Sequence, residues 1–286
     1  MTTRLTKNQA WQDRRVIVAG GTAGFGLVLA RHLDAAGASV LIVGRSSEGV
    51  RQALAACEEG SRIRGTTADL SRPGEAGRVV GEALRLLGGV DDLFFCVGRS
   101  GRGAILKTDA DELRGYFDAN VSSAVEITQA VADDVAAARG HFVYIGSLAG
   151  KLVTPFMGPY CVAKAALAAY VDAVRLEMAP RGAHVLLVSP GPIRRDDVDP
   201  RAAESADRYA ADVSRAGLPA EALEPGGTRA LKQLDPNRLA EQVLAACRQR
   251  QSELVVPRTA SLLAGLIEWC PDWGRRILAR VAARRG

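Results

Sequence analysis

Tyr160 and Lys164 stand four residues apart in Tyr-Cys-Val-Ala-Lys-Ala-Ala-Leu, a stretch that reads as helix. That spacing stacks the two side chains on one helix face. An ammonium beside a phenol stabilises the phenolate and lowers its pKa from about 10 toward working pH. Pro159 places Tyr160 near the helix start, where the helix dipole acts in the same direction. A tyrosine tuned in this way can give a proton to a carbonyl oxygen or take one from an alcohol. Ser147 follows a short apolar run in Ile145-Gly146-Ser147-Leu148, and its hydroxyl is placed to hold the same oxygen.

A second group of residues could hold an anion. Gly20-Gly21-Thr22-Ala23-Gly24-Phe25-Gly26 follows the first apolar run and leads directly into a helical pattern. A tight turn that lets backbone approach a pyrophosphate needs residues without a Cβ. The helix start behind it offers N–H groups and a positive dipole end. No Lys-Ser or Lys-Thr pair follows, which disfavours a nucleoside-triphosphate loop. The second run ends in Val43-Gly44-Arg45-Ser46. In a dinucleotide site this end faces the adenosine ribose. An acidic residue there would select NAD, whereas Arg45, with Ser46 donating beside it, suits the 2′-phosphate of NADP. NADP is therefore the expected cofactor, ahead of NAD.

These residues need a scaffold, and the hydrophobic pattern supplies one. Apolar runs at Val16–Ala19, Val40–Val43, Leu93–Val97, Phe142–Ile145, Val185–Val188 and Leu254–Val256, with a weaker one near Arg62–Thr67, are too short for buried helices. Continuous apolar runs suit parallel strands covered on both faces. Helical segments such as Phe25–Ala36 and Tyr160–Met178 alternate with them. The expectation is an α/β fold with a doubly wound, seven-stranded parallel sheet in one domain over residues 12–258. Residues 194–230, polar and broken by Pro200, Pro219 and Pro225, form an insertion expected to act as a flap over a substrate pocket, with a short helix within Ala202–Val213. Residues 259–286 form a C-terminal helical extension.

At this point the sequence resembles the short-chain dehydrogenase/reductase family over about residues 12–257, on a Rossmann-type fold. The family's glycine motif corresponds to Gly20, Gly24 and Gly26, and its acidic adenine contact to Asp69 in Ala68-Asp69-Leu70. Its helix asparagine matches Asn120, its catalytic serine, tyrosine and lysine match Ser147, Tyr160 and Lys164, and its motif after the sixth strand matches Pro190-Gly191-Pro192-Ile193. The resemblance implies hydride transfer between a nicotinamide ring and a carbonyl or alcohol carbon. Tyr160 would be the acid/base, Ser147 would polarise the oxygen, Lys164 would tune Tyr160 and hold the nicotinamide ribose, and Asn120 would seat a relay water. The chain departs from the pattern at Phe95-Cys96-Val97-Gly98, where the family carries Asn-Asn-Ala-Gly and only Gly98 survives to let backbone approach the cofactor. The lost asparagine puts a brace of the central sheet in doubt. Arg195 replaces a threonine that holds the carboxamide, and Ala23 stands where many NADP members carry a basic residue.

Composition narrows the partners. The 286 residues carry a net charge of +5, nearly all positive charge is arginine, and aromatics make up 5%. No basic stripe with interleaved aromatics appears, so nucleic acid is not an expected partner. The first fifteen residues hold no apolar run and no stretch approaches the ~20 apolar residues of a membrane span, so a cytoplasmic protein is expected. Five scattered cysteines fit reduced, small apolar residues. His32, His141 and His184 lie far apart in sequence, and no metal site is expected. The tail joins Leu262, Leu266, Trp269 and Trp273 to several arginines. Packing on the domain or a sister subunit is favoured over peripheral membrane contact. With Pro225-Gly226-Gly227 and Leu254-Val255-Val256-Pro257, this tail resembles a subgroup reducing lipophilic ketones such as ketosphinganine and steroids. The expected substrate is thus a small molecule, a lipophilic ketone or secondary alcohol, and the expected assembly a homodimer or homotetramer. Two rival readings are a non-catalytic NADP sensor and a sugar-nucleotide epimerase. The intact Asn120, Ser147, Tyr160 and Lys164 set argues against the sensor, and the Gly20–Gly24 spacing against the epimerase.

Overall fold

The structure is a computed structural model that describes residues 10–194, 209–223 and 232–283. Seven parallel strands form one sheet in the order β3-β2-β1-β4-β5-β6-β7. They are β1 (Arg15–Ala19), β2 (Ser39–Gly44), β3 (Ile63–Thr67), β4 (Asp92–Phe95), β5 (His141–Ile145), β6 (His184–Pro190) and β7 (Glu253–Val256). Each falls within a residue or two of its apolar run, because a buried parallel strand needs apolar side chains on both faces. The reversal of strand order lies between β1 and β4, opening a crevice at the carboxyl ends of those strands.

Helices cover both faces. On one side α1 (Gly24–Ala35) and α8 (Pro236–Arg248) bury Leu27, Leu33, Val243 and Leu244 against Val16, Val18 and Phe94. On the other, α3 (Glu75–Leu87), α5 (Ser123–Ala137) and α6 (Gly158–Met178) bury Val79, Ile127, Val131, Leu167 and Val171 against Ile17, Leu41, Leu93 and Phe95. Helix α2 (Ser47–Ala55) packs beside β3, and α4 (Ala110–Phe117) leads toward α5. Asn120 lies in a single π turn, Asp118–Ser122, that joins α4 to α5. Such turns bend a helix without ending it and recur at functional sites.

The sheet's amino end is tied by ion pairs that have no local sequence signal. Arg14 grips the fully buried Asp92 at 2.8 and 2.6 Å, and Asp92 also accepts the His141 backbone N–H at 2.8 Å. Arg15 holds Asp91 beside them at 2.5 Å. The family's sheet-bracing asparagine is absent here, but β4 is clamped at its other end.

Of the expected insertion, residues 195–208 and 224–230 lie outside the described residues, and with them Arg195 and most of the helix expected within Ala202–Val213. The described part carries α7 (Ala210–Ala216) and a short turn, Ala220–Leu223. It rests on the loop after β4. The buried Arg102 donates from Nε to the Ala222 carbonyl at 2.5 Å and lies 3.9 Å over the Tyr209 ring, while Ser100 and Tyr209 share a hydroxyl hydrogen bond at 2.9 Å. After β7 come α9 (Arg258–Trp269) and α10 (Pro271–Ala283).

Candidate active site

The glycine turn forms between β1 and α1. Gly20 has φ of 79°, and a Cβ there would lie 2.9 Å from the Cys96 backbone, so the first position admits only glycine. Gly26 sits against the Gly20 carbonyl, where a Cβ would come within 2.2 Å, which lets α1 start directly under the turn. Gly24 opens α1, Phe25 packs part-buried against the core, and Thr22 fits against the bare Cα of Gly44. The α1 start has no side-chain cap and no acidic residue in its first turn. An anion set there would meet the positive dipole end of α1.

At the end of β2, Arg45 is exposed and has no ion pair among the described residues. Ser46 caps α2 by accepting the Gly49 N–H at 3.1 Å, which leaves its hydroxyl proton to donate. Asp69 sits at the end of β3, its carboxylate turned onto Ser71 at 2.7 Å and onto Arg72. The Ser71 hydroxyl, first, and then Arg72 and Arg45 hold that carboxyl below its ordinary value. Leu70 is buried beside it.

Three elements converge at the carboxyl ends of β4, β5 and β6. Ser147 follows β5, half-buried, and caps a short turn, Leu148–Gly150, by accepting the Ala149 N–H at 3.1 Å. Tyr160 is the third residue of α6, behind Gly158 and Pro159, as the proline position suggested. Lys164, one turn on, is 4% exposed; its Nζ donates to the Ile145 carbonyl at 3.1 Å and lies 5.9 Å from the Tyr160 ring centre. Burial lowers the Lys164 pKa to about 8. The neighbouring Cys96 thiol is pushed up to about 12 by its own burial and stays neutral.

Asn120 is fully buried in its π turn. Its Nδ2 donates to the carbonyls of Arg99 at 3.0 Å and Tyr116 at 2.9 Å, while its Oδ1 has no partner. An orphaned buried acceptor costs about 1–3 kcal/mol unless something donates to it. Gly98 lies directly beside that acceptor. A Cβ on Gly98 would lie 2.7 Å from Asn120 Oδ1 and 3.2 Å from Lys164 Nζ. The bare Cα thus lets the chain after β4 pack directly against an unsatisfied acceptor and a buried ammonium. Pro190 and Gly191 close the crevice at the end of β6, with the Gly191 N–H bonded to the Val256 carbonyl at 2.7 Å; Ile193 bridges to Leu234. The glycine turn, the positive end of α1, Gly98 and the orphaned Oδ1 together fit a nicotinamide dinucleotide laid across the crevice.

Two positioning residues escaped the sequence reading. A Cβ on Gly150 would lie 2.8 Å from the Lys164 carbonyl oxygen, so the turn after Ser147 packs directly on the α6 backbone. Gly146 donates to the Val188 carbonyl at 2.7 Å and a Cβ there would crowd Leu187, which fixes the approach to Ser147 from the other side. Glycines flanking Ser147 were visible in sequence, but only the fold shows what they touch. Arg102 gave no signal at all.

The histidines also differ from their sequence spacing. His141 and His184 begin adjacent strands, and their Nδ1 atoms lie 2.8 Å apart, with Cys247 close enough that the three groups could hold a metal ion. His184 Nε2 lies 2.8 Å from the Gln251 carbonyl and donates to it, so its Nδ1 accepts a proton held by His141. Two nitrogens on one zinc would stand ~3.3 Å apart, given Zn–N bonds of about 2.0–2.1 Å. The pair is a hydrogen bond, at the opposite end of the sheet from Ser147. All five cysteines are free, and Cys270, against expectation, is exposed.

A seven-stranded parallel sheet with a glycine turn at its first crossover and a Ser–Tyr–Lys set at its carboxyl end defines a nicotinamide-dependent oxidoreductase. The family model for short chain dehydrogenases matches residues 14–205. The chain is 31% identical over 272 residues to dehydrogenase/reductase SDR family member 7B of Xenopus tropicalis, covering 91% of this chain and 82% of the relative. It is 28% identical over 200 residues to the human SDR family member 4, covering 66% and 69%. Among solved structures it is similar to an actinorhodin polyketide ketoreductase variant with NADPH, at a TM-score of 0.71 and 26% identity, covering 86% of this chain and 96% of that one. The chain belongs to the short-chain dehydrogenase/reductase family and is an oxidoreductase acting on CH–OH or C=O groups.

Proposed function

We propose that this protein reduces a lipophilic ketone, or oxidises the matching secondary alcohol, with NADP(H). The observation that carries the reaction is the convergence of Ser147, the Tyr160–Lys164 helix face and the Gly98–Asn120 contact at one sheet end. The dinucleotide, when bound, supplies or accepts the hydride. In the reductive direction Ser147 donates a hydrogen bond to the substrate oxygen and holds the carbonyl carbon open to attack. Tyr160 transfers its hydroxyl proton to that oxygen as charge develops on it. The Lys164 ammonium stabilises the phenolate left behind. The unsatisfied Asn120 Oδ1 accepts from a water, through which the proton is replaced from solvent.

NADP is supported by the exposed Arg45, which forms no ion pair among the described residues, by the donor-ready Ser46 at the β2 end, and by the NADPH in the similar ketoreductase. The lipophilic substrate is supported by the resemblance of the tail to reductases of lipophilic ketones; Leu148 and Leu152, just beyond Ser147, pack in an apolar cluster with α9. The test is NADPH consumption against ketones of increasing apolar size. Increasing kcat/KM with apolar size supports the reading. Turnover confined to small polar carbonyls, or faster with NADH, rejects it.

A further inference from the structure

The C-terminal helices carry more apolar surface than the domain covers. On α9, Ala260, Leu263, Ala264 and Ile267 recur at helical spacing and pack with Leu148, Leu152 and Val255. Leu278 of α10 joins that cluster. A Cβ at Gly274 would lie 2.7 Å from Ile267 Cα, so α10 folds back on α9 almost backbone to backbone. This inner stripe accounts for the docking of the hairpin on the domain.

A second stripe faces away. Leu262, Leu266 and Trp269 lie at i, i+4 and i+7 on α9, and Trp273 opens α10. Leu262 is 75%, Trp269 88% and Trp273 64% exposed. The third tryptophan, Trp11, is 1% exposed in the core. Around the exposed stripe stand Arg258, Arg275, Arg276 and Arg280, all exposed. Over residues 258–286 the chain has six arginines against Glu268 and Asp272.

We infer that the α9–α10 hairpin docks this protein on an anionic membrane surface. Two tryptophans and a leucine ringed by arginines are the composition of a helix lying in the headgroup region. The positive excess is complementary to anionic headgroups. No helix among the described residues is long and apolar enough to cross a bilayer, so the hairpin lies along the surface. The choice of a bilayer over a second copy of the chain rests on this charge: a self-complementary contact would set the arginines of one hairpin against those of the other. The inner face of α9 packs on Leu148, the residue after Ser147, so docking sets the hairpin between the bilayer and the turn that carries Ser147. The docking is independent of the reaction proposed above; delivery of a lipophilic ketone from the bilayer rests on it.

The test is co-sedimentation of the full chain with vesicles of phosphatidylcholine, with and without phosphatidylserine. Binding is expected with phosphatidylserine, falling with added salt, accompanied by a blue shift of tryptophan emission; because Trp11 is buried already, the shift reports the hairpin. W269E/W273E is expected to lose vesicle binding at least ~10-fold, and R275E/R276E to lose the preference for phosphatidylserine. Both variants should keep wild-type turnover of a water-soluble ketone, which shows that they are folded whatever the natural substrate is. Equal, negligible sedimentation with both vesicles overturns the inference. So does a W269E/W273E variant that binds vesicles as wild type but turns a dimer into a monomer by light scattering, which assigns the stripe to a second copy.

Discussion

At the scale of single residues, the site separates proton transfer from cofactor binding, so each can be probed alone. Tyr160→Phe removes the proton donor and keeps the ring beside Lys164. Turnover should fall at least ~100-fold while NADPH affinity stays within about threefold, checked by steady-state kinetics and cofactor fluorescence. Near-normal turnover in the purified variant would reject Tyr160 as the acid. Lys164 adds a reason for this sensitivity. Its ammonium is buried, bonded to the Ile145 carbonyl and shifted down to about 8, so it has little solvent to lean on and gains most from an adjacent phenolate. At the other end of the crevice, Arg45 is placed to meet a 2′-phosphate with a charge-assisted hydrogen bond worth roughly 1.5–3 kcal/mol. Arg45→Asp should therefore erase or invert a tenfold or larger preference for NADPH over NADH, read by titrating both cofactors. Equal affinities in the unmutated protein would make Arg45 a solvated surface charge.

At the scale of elements, the site is built by holding three segments together where a side chain would push them apart. The turn after Ser147 rests on α6 through Gly150, whose missing Cβ is what lets it reach the Lys164 carbonyl. Gly150→Ala forces that turn or the helix to move. Because a misplacement of about 1 Å at a reacting group can cost on the order of 100-fold, kcat should drop at least ~10-fold. The glycine turn at β1 lies elsewhere, so NADPH affinity should change less than about threefold. Loss of cofactor binding in parallel with kcat would point to general unfolding instead. These contacts also mark how far the sequence could be read. The strands and α6 were legible because apolar runs and helical periodicity are local properties of the chain. Tyr160, Lys164 and Ser147 were legible because their spacing or strand-end position carries the chemistry. Gly146, Gly150, Arg102 and the Arg14–Asp92 clamp were not, since each acts on a partner distant in sequence or, for the glycines, through a clash that only exists once the chain is folded. The same limit hid the approach of His141 and His184, which are 43 positions apart and side by side in the sheet.

At the scale of the whole molecule, the two ends of the sheet do different work. Chemistry gathers at the carboxyl ends, and the amino ends hold a buried polar cluster that ties β1, β4, β5 and β6 together. His141 and His184 share one proton there and sit between Trp11, Arg14, Asp92, Arg175 and Arg250. Burial holds the His141 pKa down to about 3 from an ordinary value of 6.5, helped by His184 and by Arg14 and Arg250; His184 is lowered as well, first by burial. The folded protein therefore keeps this pair neutral where the unfolded chain takes up protons. Below pH 6.5 unfolding binds protons that folding excludes, so stability is full above that pH and falls as the pH drops from 6.5 toward 3. Each such proton steepens the loss by about 1.4 kcal/mol per pH unit. His141→Gln keeps a polar side chain beside His184 but removes one titrating group. Denaturant melts from pH 7 to pH 4 should show a wild-type stability slope steeper than the variant's by up to about 1.4 kcal/mol per pH unit, whatever offset the substitution adds at pH 7. Carboxylates such as Asp91, held low in part by its bond to Arg15, titrate in both proteins and cancel in the difference. Identical slopes would mean that His141 takes up its proton in the folded state, and that the amino end of the sheet tolerates a charge that its burial and its arginine neighbours oppose.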